Sequence, residues 1–150
     1  MKNDAELTPI AHGALSRCFG CGQQNPTGLR LKFFTDAGGN IVCRLRVAQR
    51  FEGPPGCVHG GVIATLLDEA MSKANRARGV VAMTRQMEVE YLRPVRLRTS
   101  LTLTGRHVEA HGRKHQCEAQ ITDAEGTVLA RAKALFIAVD PARLAQAAGR

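Results

Sequence analysis

The stretch HGGVIATLLDEAMSKANRARG, at positions 59–79, decides the fold. Its apolar residues recur at the i, i+3, i+4, i+7 spacing that collects side chains on one face of a helix. Those residues are Val62, Ile63, Leu66, Leu67, Ala70, Met71 and Ala74. Basic residues in the last turns and the glycine at position 79 match the usual signals of a helix C-terminus. We therefore predict one long amphipathic helix that ends near Arg78.

Alternating apolar residues on both sides of this helix predict β-strands. Before the helix, alternation at 29–33 and at 41–47 flanks the turn sequence DAGGN at 36–40, which indicates a β-hairpin. After the helix we expect four more strands, at 87–91, 101–103, 117–121 and 128–139. The predicted order ββαββββ defines an α+β domain, in which an antiparallel sheet of about six strands wraps around one central helix.

The chain of 150 residues is long enough for one domain with an N-terminal arm and a short tail. Residues 1–28 show no sustained period, so we expect an extended arm there and the folded domain at 29–140. Residues 141–150 are expected to form a mobile tail. No apolar run approaches the roughly 18 residues that span a membrane. Because the N-terminus also lacks the apolar core of a secretory signal, we expect a cytoplasmic protein that does not bind membranes.

The formal net charge of +8 favours an anionic partner. With five Phe, one Tyr, no Trp and no basic run longer than two residues, the chain is not expected to bind nucleic acid. Phosphates on a small ligand fit the pattern better. ATP and nicotinamide cofactors are disfavoured, because no glycine-rich phosphate-binding motif occurs in the right context.

The five cysteines are an odd number scattered along the chain, which favours free thiols over disulfides. Cys18 and Cys21 form a CxxC pair, a spacing found in zinc sites and redox motifs. A structural zinc site needs four ligands, and no second pair lies nearby in the sequence. We therefore expect no metal.

The segment Val58-His59-Gly60-Gly61 joins the proline-stiffened loop FEGPPG, at 51–56, to the start of the helix. Backbone N–H groups at a helix N-terminus lack intrahelical partners, so they can bind an anion or a developing oxyanion. A second interpretation is equally open. The two glycines permit a tight turn, and the histidine caps the helix or packs beside it.

Asp68 is the second candidate for chemistry. A helical wheel places it away from the apolar face, beside small residues that favour close contact over free water. These neighbours are Ala64, Ser72 and Asn75. The alternative is a solvated carboxylate on an exposed face. Glu69 points elsewhere on the wheel and is a rival candidate.

The stretch FEGPPGCVHGGVIATLLDEAM at 51–71, followed by Thr84 and by MEVEYLRPV at 87–95, resembles the hotdog-fold acyl-CoA thioesterases of the PaaI type. The similarity extends from about Cys18 to Val139. Its most specific part is His-Gly-Gly with an aspartate nine residues after the histidine. The resemblance implies a hotdog fold and hydrolysis of an acyl-CoA to a free acid and coenzyme A. It implies no cofactor, because coenzyme A is part of the substrate.

The resemblance also implies roles for single residues. The amide of Gly60, with that of Gly61, polarises the thioester carbonyl, and His59 shapes the turn. The carboxylate of Asp68 either activates water or attacks the carbonyl itself. Thr84 supplies a hydroxyl near that water.

Coenzyme A phosphates are expected to meet basic residues at the start of a strand. By resemblance these are Arg113 and Lys114, with a weaker contribution from Arg93. Two positions depart from some relatives. Gly53 stands where those relatives have an asparagine six residues before the histidine, and Glu90 stands where they have a polar residue that contacts coenzyme A. Both departures bear on how water and substrate are positioned.

The geometry of a helix adds an expectation that does not depend on the family resemblance. Asp68 lies about 12 Å along the axis from the helix N-terminus, whereas a reacting carbonyl must lie about 3 Å from its donors. Two antiparallel helices related by a twofold axis bring the N-terminus of one opposite Asp68 of the other. We expect a homodimer with two shared sites, or a dimer of such dimers.

A different class of function is also open. Hotdog architecture alone does not fix activity, so the same cleft in a non-catalytic acyl-CoA binding or sensing module is the alternative. A hotdog dehydratase is disfavoured, because the loops that those enzymes use are not visible in this sequence.

Overall fold

The computed structural model describes residues 6–11 and 16–149. Within these residues, seven strands and two α-helices follow one another, with a short 3₁₀ helix at Gln49–Phe51 before the first α-helix. They are β1 Thr8–Pro9, β2 Phe34–Thr35, β3 Ile41–Leu45, α1 Gly60–Arg76, β4 Ala82–Tyr91, β5 Leu101–His111, β6 Lys114–Thr122, β7 Val128–Ala138 and α2 Pro141–Ala148. The order ββαββββ is confirmed for β2 to β7, and the two-residue β1 adds a seventh strand.

All seven strands belong to one antiparallel sheet with the order β1-β2-β3-β5-β6-β7-β4. Strands β5, β6 and β7 follow one another through short turns, so neighbours in sequence are neighbours in the sheet. β4, the strand that follows the helix, lies at the far edge beside β7. Helix α1 packs across β3, β4, β5, β6 and β7, and the predicted α+β class is confirmed.

Helix α1 forms where the apolar period predicts it and ends at Arg76, two residues before the expected position. Gly79, whose φ of +76° favours glycine, follows the last turn. Its buried face comprises Ile63, Leu66, Leu67, Ala70, Met71, Ala74 and Asn75. The apolar side chains of this face and the inner residues of the strands form one apolar core between helix and sheet.

The backbones of helix and sheet approach each other closely at Gly105 in the middle of β5. A Cβ atom on this glycine would lie 2.7 Å from the carbonyl oxygen of Ala70, which is too short for a van der Waals contact. Gly105 pairs with Ile41 on one side and Ala119 on the other, so it is held in the centre of the sheet. Its missing side chain lets α1 lie against the strand.

The first strand of the predicted hairpin is much shorter than expected. Residues 29–33 are not a strand, although Leu31 and Phe33 are buried as their alternation predicts. The N–H groups of Leu29 and Leu31 donate to the carbonyls of residues 19 and 20, so this segment pairs with the preceding loop. Only Phe34–Thr35 pairs with β3, across the predicted turn.

The two ends of the chain fall partly outside the described residues. Residues 1–5 and 12–15 of the expected arm and residue 150 of the expected tail lie there. Within the described part, buried Cys21 joins the core and helix α2 begins after the cap residue Asp140. No described helix is long and apolar enough to cross a membrane.

Candidate active site

The loop before α1 is folded tightly against the helix N-terminus. Residues Glu52 and Val58 form a bridge, and the N–H of His59 donates to the carbonyl of Phe51 at 3.0 Å. A Cβ on Gly53 would lie 2.7 Å from the Cα of His59. The glycine found there in place of an asparagine therefore permits this close approach, and a side chain would displace the loop.

One backbone donor at the helix N-terminus stays available. The N–H groups of Val62 and Ile63 both donate to the carbonyl of His59, and the N–H of Gly61 donates to His59 Nδ1 at 2.9 Å. In the part of the chain that the structure describes, the N–H of Gly60 has no acceptor. Of the two predicted amide donors, only Gly60 is therefore free to meet a ligand, since His59 caps the helix through Gly61.

Tyr91, the last residue of β4, covers the first turn of the helix. Its hydroxyl donates to the carbonyl oxygen of Gly60 at 2.9 Å. A Cβ on Gly60 would make only ordinary contact with the tyrosine ring, at 3.7 Å. Sequence reasoning missed this tyrosine, because nothing local connects positions 31 residues apart.

Asp68 and Thr84 come together as the resemblance implies. The hydroxyl of Thr84 donates to Asp68 Oδ1 at 2.6 Å. Asp68 and its neighbours Ala64 and Ser72 are half-buried, while Asn75 is fully buried against Cys117 of β6. The carboxylate is thus held on one oxygen and lies beside small side chains.

The two halves of the candidate site lie apart within one chain. β4 carries both partners of α1: Thr84 near its start contacts Asp68, and Tyr91 at its end contacts Gly60. Asp68 is eight residues after Gly60, about 12 Å along a helix of 1.5 Å rise per residue. A single carbonyl group therefore cannot contact both groups of the same chain.

The predicted basic residues also lie at two ends of the sheet. Arg113 is in the turn between β5 and β6, where its Nε donates to the carbonyl of Ala138 at 3.0 Å, and Lys114 begins β6. Ala138 pairs with the first residue of β4. Arg93 lies two residues after the end of β4, so one chain does not bring it to the other two. All three are exposed.

The two other carboxylates considered above point away from Asp68. Glu90 accepts two hydrogen bonds of 3.1 Å from Arg131, and this guanidinium lowers the pKa of the Glu90 carboxyl. Glu69, the rival on the helix, contacts Cys18 Sγ at 3.4 Å. Neither side chain takes part in the Asp68 pair.

The family model of the thioesterase superfamily matches residues 55–130, the span that contains α1 and most of the sheet. Acyl-coenzyme A thioesterase THEM4 of Rattus norvegicus is 35% identical over 73% of this chain and 47% of its own length. The chain spans about half the length of the curated THEM4 relatives it matches.

Solved structures share the fold. A thioesterase superfamily protein is 30% identical with a TM-score of 0.78, covering 85% of this chain and 68% of that chain. A hypothetical thioesterase of Streptococcus pneumoniae, solved with coenzyme A, is 25% identical with a TM-score of 0.65, covering 67% and 82%. The PaaI protein of E. coli has the same fold at 18% identity, with a TM-score of 0.68 over 73% and 80%.

Sheet, helix and structural neighbours define the hotdog fold, as the resemblance implied. The chain belongs to the thioesterase superfamily.

Proposed function

We propose that this protein hydrolyses an acyl-CoA thioester to a free acid and coenzyme A. The observation that carries the proposal is the pair of groups on α1: a carboxylate held by Thr84, and an unpartnered amide at Gly60. A base or nucleophile and an oxyanion donor are what thioester hydrolysis requires. The names of the curated relatives support the same activity.

We propose that each site is shared between two copies of the chain. β4 ends the sheet, and in the described residues its outer edge has no partner strand. Met83, Tyr91 and Leu92 are large apolar residues exposed along or just after this strand. A long edge strand with apolar residues is usually covered, and a second copy paired antiparallel across a twofold axis covers it.

This antiparallel pairing resolves the separation described above. It places the Thr84 end of one β4 beside the Tyr91 end of the other, so the Asp68 of one chain faces the helix N-terminus of its mate. The Arg113 and Lys114 side chains then approach Arg93 of the partner subunit, and the three converge on the phosphates of coenzyme A. The coenzyme A bound by the Streptococcus pneumoniae protein supports this ligand.

The chemistry follows from these positions. Asp68 takes a proton from water as the water oxygen adds to the thioester carbon. The carbonyl oxygen becomes an oxyanion and accepts the N–H of Gly60 of the partner subunit. The carbon–sulfur bond then breaks, and the coenzyme A thiolate leaves with the proton from Asp68. In the second route the Asp68 oxygen attacks the carbon itself, the carbon–sulfur bond breaks and coenzyme A leaves as a thiolate. Water then hydrolyses the resulting anhydride to the free acid and the Asp68 carboxylate, and the proton released goes to the thiolate.

Replacement of Asp68 tests the proposal. The Asp68→Asn variant keeps the shape and the hydrogen bond to Thr84 but loses the base. Thiol release should fall by roughly 10²–10⁴-fold, as for other general acid–base groups. Calorimetric affinity for coenzyme A should change little.

Glu118→Gln is the matched control, because this carboxylate on β6 is paired with Arg106 of β5 away from the site; its thiol release should equal that of the wild type. An Asp68→Asn variant with most of the wild-type rate would contradict the proposal. A wild-type protein that binds coenzyme A but turns over no member of a broad acyl-CoA panel would establish the alternative, a binding or sensing module.

A further inference from the structure

Three potential metal ligands meet where the N-terminal segment crosses the middle of α1. The ligand atoms of Cys18, Cys21 and Glu69 all lie within 4.8 Å of one another. Cys18 Sγ is 3.4 Å from Glu69 Oε1. Both thiols are free, Cys21 is buried, and the other two residues are half-buried. The CxxC pair, for which the sequence shows no further ligand nearby, thus gains a third donor from 48 positions downstream.

The turn that carries the cysteines is shaped for this meeting. The N–H of Gly22 donates to the carbonyl of Cys18 at 2.9 Å and closes the turn. A Cβ on Gly22 would lie 2.4 Å from the backbone nitrogen of Cys18, and one on Gly20 would lie 2.3 Å from Cγ of Glu69. Two glycines of CFGCG therefore have separate steric roles. One permits the tight turn, and the other lets Glu69 reach the sulfur atoms.

The spacing and charge of the cluster suit zinc. Zinc binds sulfur at about 2.3 Å and carboxylate oxygen at about 2.1 Å, so tetrahedral ligands lie roughly 3.5–3.8 Å apart. Lys73 Nζ donates to Cys21 Sγ at 3.1 Å. Two thiolates and one carboxylate carry three negative charges, which a divalent ion and the Lys73 ammonium balance. Thiolate donors favour zinc over magnesium or calcium, which prefer oxygen ligands.

We propose that Cys18, Cys21 and Glu69 bind one Zn²⁺ ion, with a water molecule as fourth ligand and Lys73 as an outer donor to the Cys21 sulfur. Binding displaces the two thiol protons to solvent. The ion joins the loop that precedes Leu29 to the helix that carries Asp68, so it ties these two segments together. The proposal departs from the expectation of no metal, which considered only ligands close in sequence.

Metal titration of the reduced, chelator-treated full chain tests the site. We expect one equivalent of Zn²⁺ to bind per chain. Co²⁺ in its place should give the thiolate-to-metal absorption and the visible bands of a tetrahedral site. Cys18→Ser and Cys21→Ser should each abolish the cobalt spectrum. Cys43→Ala, which removes a buried thiol outside the cluster, should keep it.

Two further variants test the parts of the site that a CxxC pair alone does not explain. Glu69→Gln should weaken zinc binding, because the amide is a poorer ligand than the carboxylate. Lys73→Met should retain one equivalent but lose roughly 10–100-fold in affinity, the usual effect of losing an outer-shell partner. If Glu69→Gln binds zinc as the wild type does, the three-donor site is wrong.

Thermal unfolding gives a readout independent of activity. Free zinc at 100 times the Kd should raise the Tm of the wild type by roughly 5–10 °C and leave Cys21→Ser unchanged. Circular dichroism of each variant confirms that it is folded. Failure of the wild type to take up zinc, uptake that survives in both cysteine variants, or a Cys18–Cys21 disulfide formed in place of metal uptake would overturn the proposal. None of these outcomes bears on the proposed thioesterase activity.

Discussion

Thr84 holds one oxygen of Asp68 by a hydrogen bond of 2.6 Å, and the proposed reaction uses the other oxygen. Thr84→Val removes the hydroxyl and keeps the shape of the side chain. A hydrogen bond to a charged group contributes about 1.5–3 kcal/mol. If this contribution is made in the transition state, kcat should fall by roughly 10–100-fold. Steady-state thiol release measures the change, and KM for the acyl-CoA should move less than kcat.

Thr84→Ser is the control for this experiment, because it restores the donor without the methyl group. Its kcat should recover most of the wild-type value. A valine variant with unchanged kcat would mean that Asp68 needs no partner, and that the hydroxyl serves packing of β4 alone.

At the scale of single residues, the His-Gly-Gly motif and its spacing predict Gly60 and Asp68, and the family resemblance implies Thr84. The sequence does not show which of the Gly60 and Gly61 amides is available to a ligand. The Gly61 N–H is used because it donates to His59 Nδ1, and this hydrogen bond forms only in the folded turn. The sequence also does not reveal Tyr91, whose partner is distant in sequence. Hydrogen bonds that form only in the folded chain cannot be predicted from a local sequence pattern.

Among the elements, β5 and α1 meet at Gly105, where the backbone of the helix leaves no room for a side chain. Gly105→Ala places a methyl group 2.7 Å from the carbonyl oxygen of Ala70, so helix or strand must shift. Overpacking of this kind costs typically 1–3 kcal/mol. Urea unfolding should show a lower midpoint with an unchanged slope.

Gly38→Ala provides a comparison at an exposed turn, where the nearest atom is the movable side-chain nitrogen of Asn40 at 3.2 Å. Surface changes of this type usually stay within about 0.5 kcal/mol. Equal stabilities of the two variants would show that the approach of helix and strand relaxes at no cost.

The elements also show what an apolar period can and cannot predict. The apolar period predicts α1 almost to its last residue, because the apolar residues that recur with this period are the ones buried on one face of the helix. It is correct about the burial of Leu31 and Phe33 but wrong about a strand at 29–33. The backbone donors there bond to residues 19 and 20 instead of β3, and side-chain alternation does not report which backbone groups pair.

At the scale of the whole molecule, the shared site predicts that two inactive variants complement each other. Gly60 is the first residue of α1, where proline is tolerated, and His59 before it has a ψ of 137° that proline accepts. Gly60→Pro should therefore delete the free N–H, obstruct the site and keep the helix. Asp68→Asn removes the carboxylate, which is the other group that each shared site needs.

In a mixed dimer of these variants, one site combines both substitutions and the other combines neither. Random pairing makes half of the dimers mixed, and each of those has one intact site, so about one quarter of wild-type activity should return. The variants are co-expressed with different tags, and thiol release is measured on dimers that carry both. Those isolated mixed dimers should have about half of the wild-type rate per dimer.

A mixture of Asp68→Asn and Asp68→Ala should recover nothing, because every site then lacks the carboxylate. The complementation result depends on where the two groups lie and not on how strongly each contributes. Mixed dimers that stay inactive while both parents are folded would place Asp68 and the Gly60 amide of a single chain in one site. The distance of about 12 Å along α1 argues against that arrangement, because a carbonyl in contact with one group cannot reach the other.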